Sequence, residues 1–185
     1  ATKAPRYRPV NFGVTRVNLR EGANGTRYLQ ADLPLGAYAR RVTDFLVHWA
    51  ETTPDHSFVA RRAPLAGGGT GDWQHVSYGQ ALEAARSIGQ ALLNRGLSAE
   101  RPVVLLSENS LEHALMALGC LYAGVPYCPV TPAYATASQD YDKLRHVVST
   151  LTPGLVSATD GARFGKALQA TLADRVDVVL NQGNI

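Results

Sequence analysis

Residues 103–132, VVLLSENSLEHALMALGCLYAGVPYCPVTP, constrain the fold more than any other stretch, because they spell strand, helix and second strand with punctuation between them. Residues 103–106 are a short, continuously apolar run, the pattern of a strand covered on both faces of a parallel sheet. Polar SENS follows at once. Asn109 is placed to cap a helix, with Glu112 three residues on reaching back to the cap and sitting at the positive end of the helix dipole. Leu111, Ala114, Leu115, Leu118, Leu121 and Tyr122 then recur at helical spacing, with small Ala117, Gly119 and Cys120 on the other side, so a core helix with little surface in water is expected. Gly124 supplies a left-handed residue to end it, and Val125-Pro126 turns the backbone into an extended segment, 127–130. The unit is βαβ. Such crossovers are right-handed in almost all cases and carry loops to the carboxyl ends of the strands, here 107–109 and 131–136, where open α/β sheets bind ligands.

The rest of the chain reads as more of the same pattern. Residues 1–13 are rich in Pro, Arg and Tyr without periodicity and read as a surface arm. Segments 14–19 and 26–29 flank Asn24-Gly25, which supplies the positive φ a hairpin turn needs. Residues 1–38 are therefore taken as an amino-terminal arm and hairpin, and 39–185 as an α/β subdomain. Val42, Phe45, Leu46, Trp49 and Ala50 mark one face of a helix that Pro54 stops. Strands are expected at 58–62 and 73–76. Ser77 with Gln80 forms a capping box for an amphipathic helix whose stripe is Leu82, Ala85, Ile88, Gly89 and Leu92, and Gly96 ends it. Thr136 and Ser138 are candidate caps for a helix carrying Leu144, Val147, Val148 and Leu151 before Pro153. Strands at 155–158 and 176–180 enclose a short helix after the Asp160-Gly161 turn, with Phe164, Ala167, Leu168 and Leu172 apolar. The expected fold is a mainly parallel, doubly wound α/β sheet with flanking helices, in which 103–106, 127–130 and 155–158 are neighbouring interior strands. Ending immediately after a strand, the chain reads as a fragment of a larger enzyme.

Composition narrows the function classes. At 185 residues and 45% hydrophobic, the chain can bury a sizeable core. A net charge of +3, with basic residues scattered among acids and no interleaved aromatics, argues against nucleic acid despite an isoelectric point near 9.0. No run approaches the ~18 apolar residues a membrane span needs, so no membrane partner is expected. Cys120 and Cys128 lie in apolar surroundings without CxxC spacing, which suggests buried, reduced thiols and a cytoplasmic location.

Two tempting motifs fail on their chemistry. The APLAGGGTGD run carries no lysine and is followed by a strand rather than a helix, so a flexible hairpin loop is a better reading than a phosphate loop. His113, beside Glu112 and Ser110, invites a Ser-His-acid triad, but no G-x-S-x-G elbow exists and adjacent helix positions do not face each other. His113 is read as structural, and His48 as a surface or packed histidine. No catalytic residue and no metal ligand is assigned within the chain.

The order YGQALEAARSIGQALLNRGLSAERPVVLLSENSLEHALMALGCLYAGVPYCPVTPAY resembles the amino-terminal part of the adenylate-forming acyl-CoA synthetases and ligases. Within that superfamily, PLGAYARRVTDFLVHWAETTPDHSFVARR and PAYATASQDYDKLRHVVSTLTPGLVSATDGARFGKAL are most similar to the bacterial feruloyl-CoA synthetases, and the resemblance spans residues 15–180. It implies a two-step ligase using ATP, Mg and CoA: a hydroxycinnamate such as ferulate attacks the α-phosphate, and the CoA thiol then displaces AMP. The partners it implies are an aromatic carboxylic acid and the remaining domains of the same enzyme, with a homodimer also open. By the same resemblance the family's phosphate loop, ribose-binding aspartate and catalytic lysine belong beyond Ile185, so these residues alone are expected to be inactive.

The resemblance also assigns the nucleotide end of CoA to Val130 and Thr131 in the loop after one strand and to Arg163 and Lys166 in DGARFGK. Two cations at i and i+3 share a helix face and suit multiply charged phosphates, although a lysine in the second position loses bidentate geometry. The other reading of Arg163 and Lys166 is the solvated side of a helix whose inner face is Phe164 and Leu168. Two further classes stand beside the ligase: a self-standing nucleotide- or CoA-binding α/β domain, which lacks the expected G-x-G-x-x-G, and an interaction or oligomerisation module without chemistry.

Overall fold

The central βαβ unit forms as its pattern requires. In the computed structural model, which describes residues 16–65 and 67–182, β5 (Val103–Leu106) is buried along its whole length and lies parallel to β6 (Tyr127–Val130), with α3 (Leu111–Ala123) between them. Strand β7 (Leu155–Asp160) joins β5 on the other side, and β8 (Asp177–Gln182) joins β7, all parallel, giving the order β6-β5-β7-β8. Alternation along the strands separates two cores, as a sheet covered on both faces demands. Val104, Leu106, Val156 and Ala158 pack with Leu144 of α5 (Asp142–Leu151) and with Phe164, Ala167 and Leu168 of α6 (Gly161–Thr171). Val103, Leu105 and Leu155 pack on the opposite side with Cys120 of α3 and Leu92 of α2 (Tyr78–Asn94). The sheet is doubly wound.

One of the three expected interior strands is not interior. Strand β6 is at an edge of the described sheet, half-buried at Tyr127 and Cys128 and exposed at Pro129. Proline explains the placement, since it cannot donate to a ladder and is confined to sheet edges. Cys128 is accordingly half-buried, whereas Cys120 is fully buried, and both thiols are free.

Helix α3 starts one residue later than the sequence pattern suggests. Ser110, not Asn109, is its cap, with the hydroxyl accepting from the His113 N–H at 3.0 Å. Glu112 is thereby released from capping and takes the Arg61 guanidinium in two bonds of 3.3 Å, tying α3 to β3 (Ser57–Pro64). Gly124 ends the helix at φ 72°. The helix is half-buried over most of its length, fully buried at Gly119 and Cys120 and exposed at Leu121, because β6 leaves that flank of the sheet open. Strand β3 pairs antiparallel with β4 (Thr70–Ser77) across the glycine run, and Ser77 and Gln80 close the expected capping box on α2.

Two further expectations are corrected. On α1 (Val42–Thr52) the buried positions are Thr43 and Leu46, with Val47 and Ala50 half-buried beside them, while Val42, Phe45 and Trp49 stay exposed. The side that docks is set by the flat floor of Ala81 and Ala85 on α2, so the seam runs around the helix from the bulkiest apolar residues. Thr136 and Ser138 do not cap α5. Thr136 closes a separate short helix, α4 (Ala133–Thr136), and Ser138 accepts instead from the Tyr141 N–H at 3.0 Å, holding Tyr141 at φ 57° just before α5.

The described residues divide into two compact units, with the boundary after Tyr38. In the first, β1 (Val17–Glu21) pairs antiparallel with β2 (Arg27–Ala31) around a 3-10 turn in which Asn24 (φ 59°) and Gly25 (φ 75°) take the expected left-handed geometry. The Arg20 guanidinium lies 4.3 Å from the Tyr28 ring centre. The expected start of this hairpin at Val14 and Thr15, and the arm before it, lie outside the described residues.

Candidate functional site

Strand order locates the site. From β5 the chain crosses to β6 on one side, and from β7 it crosses to β8 on the other, so β5 and β7 are neighbours whose connections diverge. That divergence is a topological switch point, and the crevice beyond the carboxyl ends of its two strands is where ligands bind in open α/β sheets. Leu106 and Asp160 end these strands.

Asp160 builds one wall. Its Oδ1 caps α6 by accepting from the N–H groups of Ala162 (2.8 Å) and Arg163 (3.3 Å), and its Oδ2 accepts from Gln182 Nε2 at 3.3 Å, joining the ends of β7, α6 and β8. Arg163 then projects from the first turn of α6 across the switch point, and its Nη2 meets Glu108 Oε1 at 2.7 Å. The hydrogen bond from Arg163 holds the Glu108 carboxyl below the usual carboxylate range. Both side chains remain well solvated, so this pair is readily exchanged for another partner.

The other wall lies over β5 and β6. Residues 107–109, the end of β6 with the loop after it (129–132), and His113 line an open depression of about 700 Å³. Buried Val130 and exposed Thr131 form part of this lining. Ser107 Oγ and His113 Nδ1 share a hydrogen bond of 2.6 Å, and burial pushes the imidazole below its ordinary value, favouring the neutral ring. A Ser–His contact becomes nucleophilic only when a third group orients the base. His113 has no carboxylate bond among the described residues, and its contacts tie the start of α3 to the end of β5.

Of the four residues singled out from sequence, Val130 and Thr131 line the depression, and Arg163 reaches its rim through Glu108. Lys166 is exposed one turn further along α6 and is not part of the lining. Sequence reading places 107–109 at a strand end but gives neither Glu108 nor Ser107 a role. The Ser107–His113 bond is local, whereas the Glu108–Arg163 pair depends on β7 lying beside β5, which residue patterns do not encode.

The arrangement fits an anion better than a metal. Arg163, the Ser107 hydroxyl and Thr131 offer donors suited to phosphate oxygens. Among the described residues, no three His, Cys, Asp or Glu side chains gather as metal ligands. Nor is any described helix long and apolar enough to cross a membrane.

Known proteins share this fold. A fatty acid AMP ligase from Legionella pneumophila superposes with a TM-score of 0.59 at 20% identity, over 77% of this chain and 23% of that one. The AMPPNP-bound form of the nonribosomal peptide synthetase FmoA3 gives 0.60 at 20% identity, over 83% of this chain and 14% of that one. Bacitracin synthase 1 of Bacillus licheniformis is 32% identical over 101 residues, 54% of this chain and 2% of the synthase. The chain therefore spans a small part of each of these proteins. The family model described as AMP-binding enzyme matches residues 46–182, and the chain belongs to that family.

Proposed function

We propose that these residues are the amino-terminal portion of an ATP-dependent ligase that joins a carboxylic acid to the thiol of CoA, and that the acid is a hydroxycinnamate such as ferulate. The observation that carries the reading is an exchangeable arginine at the switch point, paired with Glu108 on the lining of the depression over β5 and β6, in a chain of the AMP-binding enzyme family. In the first step a carboxylate oxygen bonds to the α-phosphorus of ATP and the bond to pyrophosphate breaks. In the second the CoA sulfur bonds to the acyl carbon and the bond to AMP breaks.

The residues described here serve binding. Arg163 supplies a planar fork for the CoA phosphates, Lys166 adds charge on the same helix face, and Val130 with Thr131 shapes the loop opposite. A phosphate entering from that side competes with Glu108 for Arg163, so affinity should be weak and should fall as salt screens the contact. The ferulate assignment rests on the sequence resemblance across residues 15–180. A second reading, in which the acid is an amino acid, is favoured by the likeness to a bacitracin synthase and to a nonribosomal peptide synthetase.

ATP–pyrophosphate exchange by the complete polypeptide, driven in turn by ferulate, amino acids and fatty acids, separates these readings. Ferulate-dependent exchange is expected. Exchange driven by amino acids alone would replace the hydroxycinnamate assignment, and no exchange with any carboxylic acid would sink the ligase. The CoA site is tested on the 185-residue chain by titrating CoA at low and high salt, with and without Arg163→Ala. Binding indifferent to both salt and the substitution would leave Arg163 and Lys166 as ordinary surface charge.

A further inference from the structure

The opposite end of the sheet holds a second cavity, of about 550 Å³, with no part in the switch-point crevice. It opens at the amino ends of the strands, since Arg101 precedes β5, Gly154 precedes β7 and Arg175 precedes β8. Its wall is mixed: Val148, Pro153 and Val176 provide apolar surface, and Ser149 provides a hydroxyl.

Three arginines, Arg101, Arg145 and Arg175, face this one space against a single carboxylate, Glu100. Among the described residues, none of the three has a carboxylate oxygen within 4.0 Å, whereas Arg41, Arg61, Arg95 and Arg163 of the same unit are all paired. Glu100 bonds to the Ser98 hydroxyl at 2.7 Å, and Asp177, close to Arg175 in sequence, is engaged by Arg95 at 4.0 Å. Glu100 and Asp177 are thus engaged by other groups, and Asp140 is the further acid that feels the Arg145 charge.

Two of the arginines are positioned by backbone. Arg145 Nη1 donates to the Ala170 carbonyl at 2.7 Å, and Arg101 Nη1 to the carbonyls of Arg95 (3.3 Å) and Gly96 (3.5 Å), which leaves further N–H groups on each guanidinium. Arg101 also lies flat against Gly154, where an added Cβ would stand 3.0 Å from both its Cβ and its Nε. The missing side chain at Gly154 leaves room for the stem of Arg101, and the two carbonyls anchor its Nη1 before any ligand arrives.

From this cluster we propose that the cavity is a binding site for a small organic phosphate: the guanidinium groups take the phosphoryl oxygens and the Val148, Pro153 and Val176 wall takes the apolar body. Phosphate is preferred over a monocarboxylate because several forked donors from separate elements match three charged oxygens better than two. The site is independent of the ligase reaction and stands or falls without it.

Phenyl phosphate is the probe, followed by amide chemical shifts of the 185-residue chain at low salt. Saturable shifts at Arg101, Ser149, Gly154 and Arg175 are expected. Arg175→Gln is the cleanest variant, because no hydrogen bond of the Arg175 side chain is found among the described residues, and it should weaken binding by about tenfold, the loss of one charge-assisted contact. Thermal melting confirms that the variant is folded. Shifts absent from these residues, or unchanged affinity in folded Arg175→Gln, would overturn the site. Inorganic phosphate binding as tightly as phenyl phosphate would overturn the role of the apolar wall, and tighter binding of benzoate would overturn the choice of phosphate.

Discussion

Gly119→Ala tests the packing on which the β5 side of the sheet depends. In an unobstructed helix interior the change stabilises by about 1 kcal/mol, because alanine loses less backbone entropy than glycine. Position 119 is not unobstructed. A Cβ there would lie 2.3 Å from Ile88 Cγ2 and 2.7 Å from Ile88 Cβ, contacts that real side chains do not make. Rotation of Ile88 can move Cγ2 but not Cβ, which is fixed to the α2 backbone. The close approach continues along the crossing, since a Cβ at Gly89 would be 3.3 Å from the Gly119 carbonyl oxygen and 3.4 Å from Ala123 Cβ. Overpacking of this kind costs roughly 1–3 kcal/mol, and a clash with a backbone-fixed atom belongs at the upper end. Set against the helix gain, the net expectation is destabilisation by about 2 kcal/mol. Urea denaturation gives the number directly, with an unchanged m value showing that stability alone has moved. The same substitution in an Ile88→Ala background should cost about 1 kcal/mol less, because Cγ2 is gone while Cβ remains. A raised midpoint for Gly119→Ala, or an equal cost in both backgrounds, would refute the close crossing of α2 and α3.

His113 gives a pH dependence with a definite sign. Burial lowers its folded pKa below the ordinary 6.5, so the unfolded chain binds the proton more readily and stability should decline as pH falls from about 7 toward the folded value. His113→Gln should flatten that decline, and an identical slope in both proteins would show that the ring titrates freely. The two cysteines should separate in a thiol-reagent assay at about pH 8, since the thiolate is the reactive form. Burial pushes the Cys120 thiol up to about 12, so half-buried Cys128 should be modified in the folded chain and Cys120 only on unfolding. Equally fast modification of both would contradict the α3 placement.

Much of the architecture was legible because local signals agreed with one another. Ser77 and Gln80, Gly96, Gly124 and the Asn24-Gly25 turn each require only a few neighbouring residues, and each takes the geometry its chemistry prescribes. Legibility fails where a partner from elsewhere in the chain decides. Glu112 has cap-like spacing, but Arg61, 51 residues earlier, takes it, and Ser110 provides the cap instead. On α1 the apolar residues cover more of the circumference than one contact can bury, and Ala81 and Ala85 select Leu46 with Val47 and Ala50 beside it. Pro129 carried a local warning that 127–130 belongs at an edge, although its apolar setting suggested burial. For the site, Thr131 and Arg163 could be placed at strand ends, but the crevice between β5 and β7 required the strand order.

Pro129 also gives the sheet two rims of unequal chemistry. A further strand approaching β8 would meet backbone amides along Asp177–Gln182, whereas one approaching β6 would meet a residue with no amide hydrogen to offer. Unwanted strand-to-strand association of copies is therefore discouraged on one flank by a single ring. Replacing that proline would do more than alter one short strand. It would restore a missing rung and open a second direction in which the sheet could be extended by a neighbour.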